Sequence, residues 1–101
     1  MSEEDIEIKI GGLLSKLGLT LALAESCTGG QIGNRLTDVA GSFPHFFGSA
    51  VTYAYSAQEH VFGVEHNTLL RQSADSAEVA RQMAHGAPRV LGAHIHISAP
   101  G

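Results

Sequence analysis

Residues 25–30 combine the side chains of this sequence that are most able to do chemistry. They read Glu-Ser-Cys-Thr-Gly-Gly, so two hydroxyls and a thiol are followed at once by paired glycines. The serine of this segment, Ser26, would attack a carbonyl carbon if a neighbouring base removed its proton. Glycines let the backbone approach a ligand closely, and the first N–H groups of a following helix favour an anion or oxyanion. The pattern predicts a ligand-binding or acyl-transfer turn. The alternative is an ordinary turn in which Ser26 or Thr28 caps a helix.

Two neighbours of Ser26 allow other interpretations. A thiol near a helix N-terminus needs little help to attack, so Cys27 is a second candidate nucleophile. The alternative, which we favour, is a small packed hydrophobic residue. Because Cys27 is the only cysteine, an internal disulfide is excluded, which fits a reducing compartment. Glu25 would orient a ligand or the loop backbone, or else be a solvated strand end.

Six histidines occur in this chain of 101 residues, and His94 and His96 alternate on one face of a predicted strand. Either would approach Ser26 if that strand lay beside the one before the turn. His96 would be in the middle of its strand, however, while the turn lies at a strand end. A zinc site needs at least three protein ligands, and the histidines show no HExxH or CxxC spacing. We therefore predict surface or partly buried histidines and no metal site.

An alternation of helices and strands must position the turn. The apolar spacing predicts a buried strand before the turn and a short helix after it. The alternation predicts one domain over residues 1–101 of the α/β class, a three-layer α/β/α arrangement with a small, mostly parallel sheet. The predicted helices are 3–17, 30–36, 56–62 and 77–91, with a brief helical turn at 67–72, and the predicted strands are 19–25, 49–54 and 93–98.

Glycines, capping residues and a proline predict where the helices begin and end. Gly18 and Gly63 follow apolar runs and suit helix C-termini. Asn67 and Ser76 are placed to cap the helices that follow them. Pro88 lacks an N–H inside the 77–91 helix, so we expect a kink there. The faces expected to be buried are Ile6, Ile10, Leu13, Leu14 and Leu17 in the first helix and Val79, Met83, Ala87 and Val90 in the last.

Composition narrows the function classes. The net charge is −4 and the basic residues form no cluster, which argues against nucleic-acid binding. No apolar run approaches the ~20 residues that span a membrane, and the acidic residues 3–5 do not suit a signal peptide. We expect a cytoplasmic protein. Charged residues make up only 16% of the chain, which suits a surface partly covered by a partner.

Several segments resemble the CinA C-terminal domain family, whose members include nicotinamide-nucleotide amidohydrolases. Residues 24–30 match the AESCTGG signature of that family. Residues 76–84 are similar to its SEEVAREMA helix. Further similar segments follow the same order and spacing at 35–42, 51–53 and 63–64. The resemblance extends from about residue 13 through the rest of the chain.

The resemblance implies a serine–lysine hydrolase that converts nicotinamide mononucleotide to nicotinic acid mononucleotide and ammonia, without a cofactor. It implies that Ser26 is the nucleophile and that a buried, neutral lysine is its base. The partner would be a small pyridine nucleotide, with neither nucleic acid nor membrane involved. The substrate-binding residues carried over by the resemblance are Glu25, Cys27, Thr28, Gly29, Gly30 and Tyr53.

The sequence departs from the family pattern at positions that matter for catalysis. The family has lysine in a VTYSNxxK segment, and Gln58 stands at that position here, with Tyr55 in place of the asparagine. An amide is not basic, so activity should be impaired or absent. Pro100 replaces the hydroxyl residue of a TGIAGP-type loop, and the resemblance implies that the family's later strands and final helix are missing. The alternative function is a non-catalytic remnant that binds nucleotide or oligomerises. We expect a homo-oligomer, because an unfinished sheet exposes an edge for pairing.

Overall fold

The computed structural model describes residues 5–26, 29–42, 44–74 and 76–100. Cys27 and Thr28, two predicted site residues, lie outside them. The helices are α1 (Ile6–Leu17), α2 (Gln31–Thr37), α3 (Tyr55–Phe62), α4 (His66–Arg71) and α5 (Ala77–Gly86), and a 3-10 turn follows at Ala87–Arg89. The strands are β1 (Leu21–Glu25), β2 (Phe46–Val51) and β3 (Ile95–Ala99). None of the helices within the described residues has the length and hydrophobicity to cross a bilayer.

The three strands form a parallel sheet in the order β2-β1-β3. All five residues of the central strand β1 are buried, as its nearly continuous apolar sequence predicts. Side chains of successive strand residues alternate between faces, so Leu21 and Leu23 face one side of the sheet and Ala22 and Ala24 the other. Each side carries helices, and the predicted three-layer α/β/α architecture is confirmed.

Two separate cores hold the layers together. On one face, α1 and α2 pack against the sheet; on the other, α3, α4 and α5 do so. The first core contains Leu14, Leu21, Leu23, Leu36 and Phe46. The second contains Ala24, Phe62, Val64, Leu69, Val79, Met83 and Ala87.

Most of the predicted helix ends are confirmed. Gly18 and Gly63 adopt left-handed backbone conformations at the ends of α1 and α3. The Ser76 hydroxyl accepts a hydrogen bond from Val79 N–H and caps α5, as predicted. Asn67 does not cap α4, because that helix already begins at His66 and Glu65 occupies the N-cap position. The α-helix ends just before Pro88 and continues as the tighter 3-10 turn, because proline has no backbone N–H to donate to the helical hydrogen bonds.

Three predicted features of packing and strand position are wrong. Val90 is 42% exposed, because the 3-10 turn rotates it away from the buried side of α5. On α1, Leu14 is buried and Ile10 packs partly buried against the first core as predicted, but Ile6, Leu13 and Leu17 are exposed. The second strand lies three residues earlier than predicted at each end, since Phe46 is drawn into the core.

One glycine allows the helices on the second face to pack closely. A Cβ at Gly86 would collide with the carbonyl oxygen of Phe62, at the end of α3. Gly86 is buried, and its backbone is right-handed helical. The absence of a side chain here therefore sets how closely α5 approaches α3, rather than permitting an unusual backbone angle.

Candidate functional site

The carboxyl ends of the three parallel strands meet at one edge of the sheet. The registers pair Glu25 with Val51 and with Ala99. Beyond them, Thr52 N–H donates to Glu25 O at 2.9 Å and Ser26 N–H donates to Ala99 O at 3.1 Å. Because neighbouring strands are about 4.8 Å apart, the residues that follow them lie side by side. Ligands of open α/β sheets bind at this edge.

Ser26 leads from β1 into the predicted turn. Its side chain is buried, and its Oγ has no hydrogen-bond partner among the described residues. Gly29 and Gly30 both adopt positive φ angles, of 64° and 99°, and Gly30 is the residue from which α2 begins. Glycine adopts these left-handed conformations without steric cost, as the paired glycines predict.

Glu25 is buried and contacts the backbone of α2. Its carboxylate accepts hydrogen bonds at 3.0 Å from Ile32 N–H and from Gly33 N–H, and at 2.8 Å from Ser49 Oγ. It is fully buried, so the interpretation as a solvated strand end is wrong. The sequence predicted that N–H groups at the start of α2 would favour an anionic ligand. Two of them instead donate to this carboxylate. The geometry makes Glu25 a positioning residue for the turn, and a contact with substrate stays a prediction.

Gln58 projects from α3 into the interior, where only 1% of the residue is exposed. Its Nε2 donates to the carbonyl oxygen of Tyr53 at 3.3 Å. Its Oε1 has no partner within the described parts of the chain. The Tyr53 side chain is 81% exposed, so Tyr53 contacts Gln58 through its backbone carbonyl and not through its ring.

Thr52 is a buried residue whose place at this edge the sequence pattern did not reveal. It follows β2 as Ser26 follows β1, and its Oγ1 lacks a partner among the described residues. The predicted strand ran through residue 54 and hid this equivalence. The signal that would have found it is the general rule that the first residues after parallel strands line the ligand edge. We refer to Ser26, Thr52 and Gln58 together as the carboxyl-end site.

A short series of contacts connects the three members of the carboxyl-end site. Ser26 is bonded in sequence to Glu25, whose carbonyl receives the Thr52 N–H. Thr52 precedes Tyr53, whose carbonyl receives the Gln58 amide. Three of the four buried side-chain atoms that lack a partner among the described residues belong to this site. A buried unpaired polar atom costs about 1–3 kcal/mol, so these three atoms are positions where a ligand or an ordered water would complete the hydrogen bonding.

The rings of His60, His94 and His96 form hydrogen bonds away from the carboxyl-end site. His94 Nδ1 lies 2.9 Å from Thr20 Oγ1, at the opposite end of β1, and His96 Nε2 lies 2.7 Å from Leu91 O. His60 Nδ1 lies 3.1 Å from Ser56 O, within its own helix. The strand that contains His96 does adjoin β1, but His96 is paired with Ala22, well before the turn. Among the described residues, no three His, Cys, Asp or Glu side chains cluster as metal ligands would.

Comparison with known sequences identifies the family. The CinA C-terminal domain profile matches residues 3–101. The chain belongs to the CinA C-terminal domain family. It is 48% identical over 99 residues to a CinA-like protein of Geobacter sulfurreducens and 47% identical over 100 residues to one of Chlorobium phaeobacteroides. These alignments cover 98% and 97% of this chain but only 24% of each relative, so the chain spans about a quarter of their length.

Solved CinA structures have the same fold. A competence or damage-inducible protein from Enterobacter asburiae superposes with a TM-score of 0.87 at 30% identity, covering 92% of this chain and 58% of the other. A competence/damage inducible protein from Agrobacterium tumefaciens gives a TM-score of 0.84 at 34% identity, covering 97% of this chain and 62% of the other. The chain thus spans about three fifths of these two solved CinA chains.

Proposed function

We propose that the carboxyl-end site of this CinA domain binds a nicotinamide nucleotide and that the chain hydrolyses the amide far more slowly than a serine–lysine enzyme would. The substrate class comes from the family pattern in residues 24–30 and 51–53. The observation that carries the proposal is the group of three buried, unpartnered side-chain atoms of the carboxyl-end site, counted among the described residues.

The hydroxyls of Ser26 and Thr52 support binding of an amide. Each hydroxyl donates one hydrogen bond and accepts others, so the pair complements a ligand that has both a carbonyl and N–H groups. Both side chains are at least nine-tenths buried, so a ligand that reaches them exchanges its water for protein partners. Ser26 is also the residue that the family pattern makes the nucleophile.

The glutamine at the family's lysine position supports slow hydrolysis. The family pattern has lysine where this chain has Gln58, and an amide does not accept a proton at neutral pH. The lysines of the whole sequence are Lys9 and Lys16, both exposed on α1. A nucleophile and its base act as a unit, so loss of the base alone lowers the rate by orders of magnitude.

Two measurements test the proposal. Isothermal titration calorimetry with nicotinamide mononucleotide should detect binding, and binding should weaken in Ser26→Ala. Ammonia release from the same nucleotide should rise by roughly 1000-fold in Gln58→Lys, because a buried lysine restores a base. Gln72→Lys makes the same change at an exposed position and should leave the rate unchanged.

Each part of the proposal has its own contrary result. Absence of nucleotide binding would contradict the assigned ligand. Ammonia release by the unaltered chain at the rate of Gln58→Lys would contradict the slow hydrolysis. Adding Ser26→Ala to Gln58→Lys should remove the restored activity, and activity that survives this double change would contradict the role of Ser26.

A further inference from the structure

We propose that Gln58 makes the carboxyl-end site selective for a pyridine nucleotide that bears a carboxamide over one that bears a carboxylate. The inference rests on the proposed function, because it concerns the same site and ligand class. It adds that the residue at the family's lysine position recognises the amide group itself.

The orientation of the Gln58 amide follows from its contact with Tyr53. A backbone carbonyl only accepts hydrogen bonds, so the side-chain atom 3.3 Å from Tyr53 O must be the nitrogen. The oxygen then points away from that carbonyl. Rotating the amide by half a turn would place Gln58 Oε1 against the carbonyl oxygen of Tyr53. Two acceptors repel each other, so the buried amide keeps its nitrogen toward Tyr53.

The remaining oxygen of Gln58 defines what its partner must offer. Oε1 is buried and, within the described residues, without a donor. An amide oxygen only accepts, so the atom that completes it must be an N–H or O–H group. An unpaired Oε1 already costs free energy because it has lost its water. Placing a second acceptor against it would add electrostatic repulsion to that cost.

A carboxamide and a carboxylate differ at this requirement. A carboxamide presents two N–H donors and one carbonyl acceptor, while an ionised carboxylate presents only acceptors. Gln58 Oε1 would accept an N–H of the carboxamide, and the hydroxyl of Ser26 or Thr52 would donate to its carbonyl. The carboxylate would place an oxygen against Oε1 and leave that acceptor unpaired.

The test compares two nucleotides that differ in this group alone. Calorimetric titration of the unaltered chain should give a Kd for nicotinamide mononucleotide roughly 10- to 100-fold below that for nicotinic acid mononucleotide. In Gln58→Met, which keeps the length but removes the whole amide group with its oxygen, the ratio should fall to near one. Gln72→Met, the same change at an exposed position, should keep the ratio of the unaltered chain.

The possible results separate this inference from the proposed function. Equal affinity of the unaltered chain for both nucleotides would overturn the amide selectivity while leaving nucleotide binding intact. Binding of neither nucleotide would overturn the proposed function and the selectivity with it. If Gln58→Met does not fold, the side-chain amide NMR signals of Gln58 in the unaltered chain decide. They should shift at a roughly 10- to 100-fold lower concentration of the carboxamide nucleotide than of the acid, and equal midpoints for the two nucleotides would overturn the inference.

Discussion

The Glu25 carboxylate and the Gly33 N–H form a buried hydrogen bond of 3.0 Å that joins the end of β1 to the first turn of α2. A Cβ at Gly33 would collide with Ser49 Oγ, which itself donates to the same carboxylate oxygen at 2.8 Å. One carboxylate therefore fixes a strand, the following helix and the neighbouring strand around the turn that begins with Ser26.

Glu25→Gln should destabilise the fold. One carboxylate oxygen becomes an NH2 group, which cannot accept from the N–H groups of α2 or from Ser49 and places donors against donors. We expect a loss of about 2 kcal/mol in the free energy of unfolding, measured by urea denaturation. Glu65→Gln, at an exposed position, should change it by less than about 0.5 kcal/mol. Equal effects of the two changes would contradict the role assigned to Glu25.

Thr52→Val should raise stability and weaken nucleotide binding. Valine has nearly the shape of threonine, and the change removes a buried hydroxyl that has no partner among the described residues. We expect a gain of about 1 kcal/mol in thermal unfolding experiments. Thr68→Val is the matched change at a buried threonine whose hydroxyl accepts from Gln82 Nε2 at 3.0 Å, and it should instead destabilise the protein. A loss of stability in both variants would show that Thr52 has a partner.

Gly86→Ala and Gly12→Ala should have opposite effects on stability. A Cβ at Gly86 overlaps the carbonyl of Phe62 and must separate α5 from α3, at a cost of about 3 kcal/mol. A Cβ at Gly12 meets no described atom within 4 Å beyond the adjacent backbone of its own helix, and alanine favours the helix by about 0.5–1 kcal/mol. Chemical denaturation of both variants checks this, and a stable Gly86→Ala would contradict the close approach of the helices.

Acid should weaken the contact between α1 and α2. Backbone hydrogen bonding at Glu7, followed by the Arg35 guanidinium, holds the pKa of the Glu7 carboxyl below its usual range. A lowered folded-state pKa gives stability that is present above the unfolded value, ~4.3, and is lost as the pH falls through the folded value. The stability difference between the unaltered chain and Glu7→Gln should therefore shrink between about pH 6 and about pH 3. A difference that stays constant over this range would contradict the coupling.

The edge of the sheet at β3 leads us to propose self-association. In the sheet formed by the described residues β3 is an outer strand, and Ile97 is 50% exposed beside the 36%-exposed Ile95. Unpaired edge backbone with apolar neighbours pairs readily with a second copy. Light scattering should give a dimer or larger species for the unaltered chain and a monomer for Ile97→Lys. Leu70→Lys, at an exposed position on α4, should leave the assembly intact, and a monomeric unaltered chain would contradict the proposal.

The parts of the fold that depend on local pattern were predictable from the sequence. The apolar run before Glu25 gave the doubly buried β1, and Ser76 was identified as the cap of α5 because capping needs only residues three apart. The start of β2 at Phe46 was not predicted, because it depends on packing of that ring against α1 and β1 rather than on alternation along the strand.

The candidate site was predictable only where its residues share the turn. Ser26 and the paired glycines stand out in one short segment, and Gln58 through its place in a longer pattern. The burial of Glu25 could not be foreseen, because its donors among the described residues include two backbone N–H groups and Ser49, which is 24 residues away. Thr52 became visible only once β2 was found to end at Val51.

The central position of β1 has a consequence for the order of folding. Its pairing with β2 closes a short stretch of chain, whereas its pairing with β3 joins Leu21 to Ile95 across most of the sequence. Long loops cost more entropy to close, and distant strand pairs form late. We expect α1, β1, α2 and β2 to assemble first and β3 to dock last. The backbone that receives the Ser26 N–H would then be the last to arrive, so the carboxyl-end site takes shape only in the final step of folding.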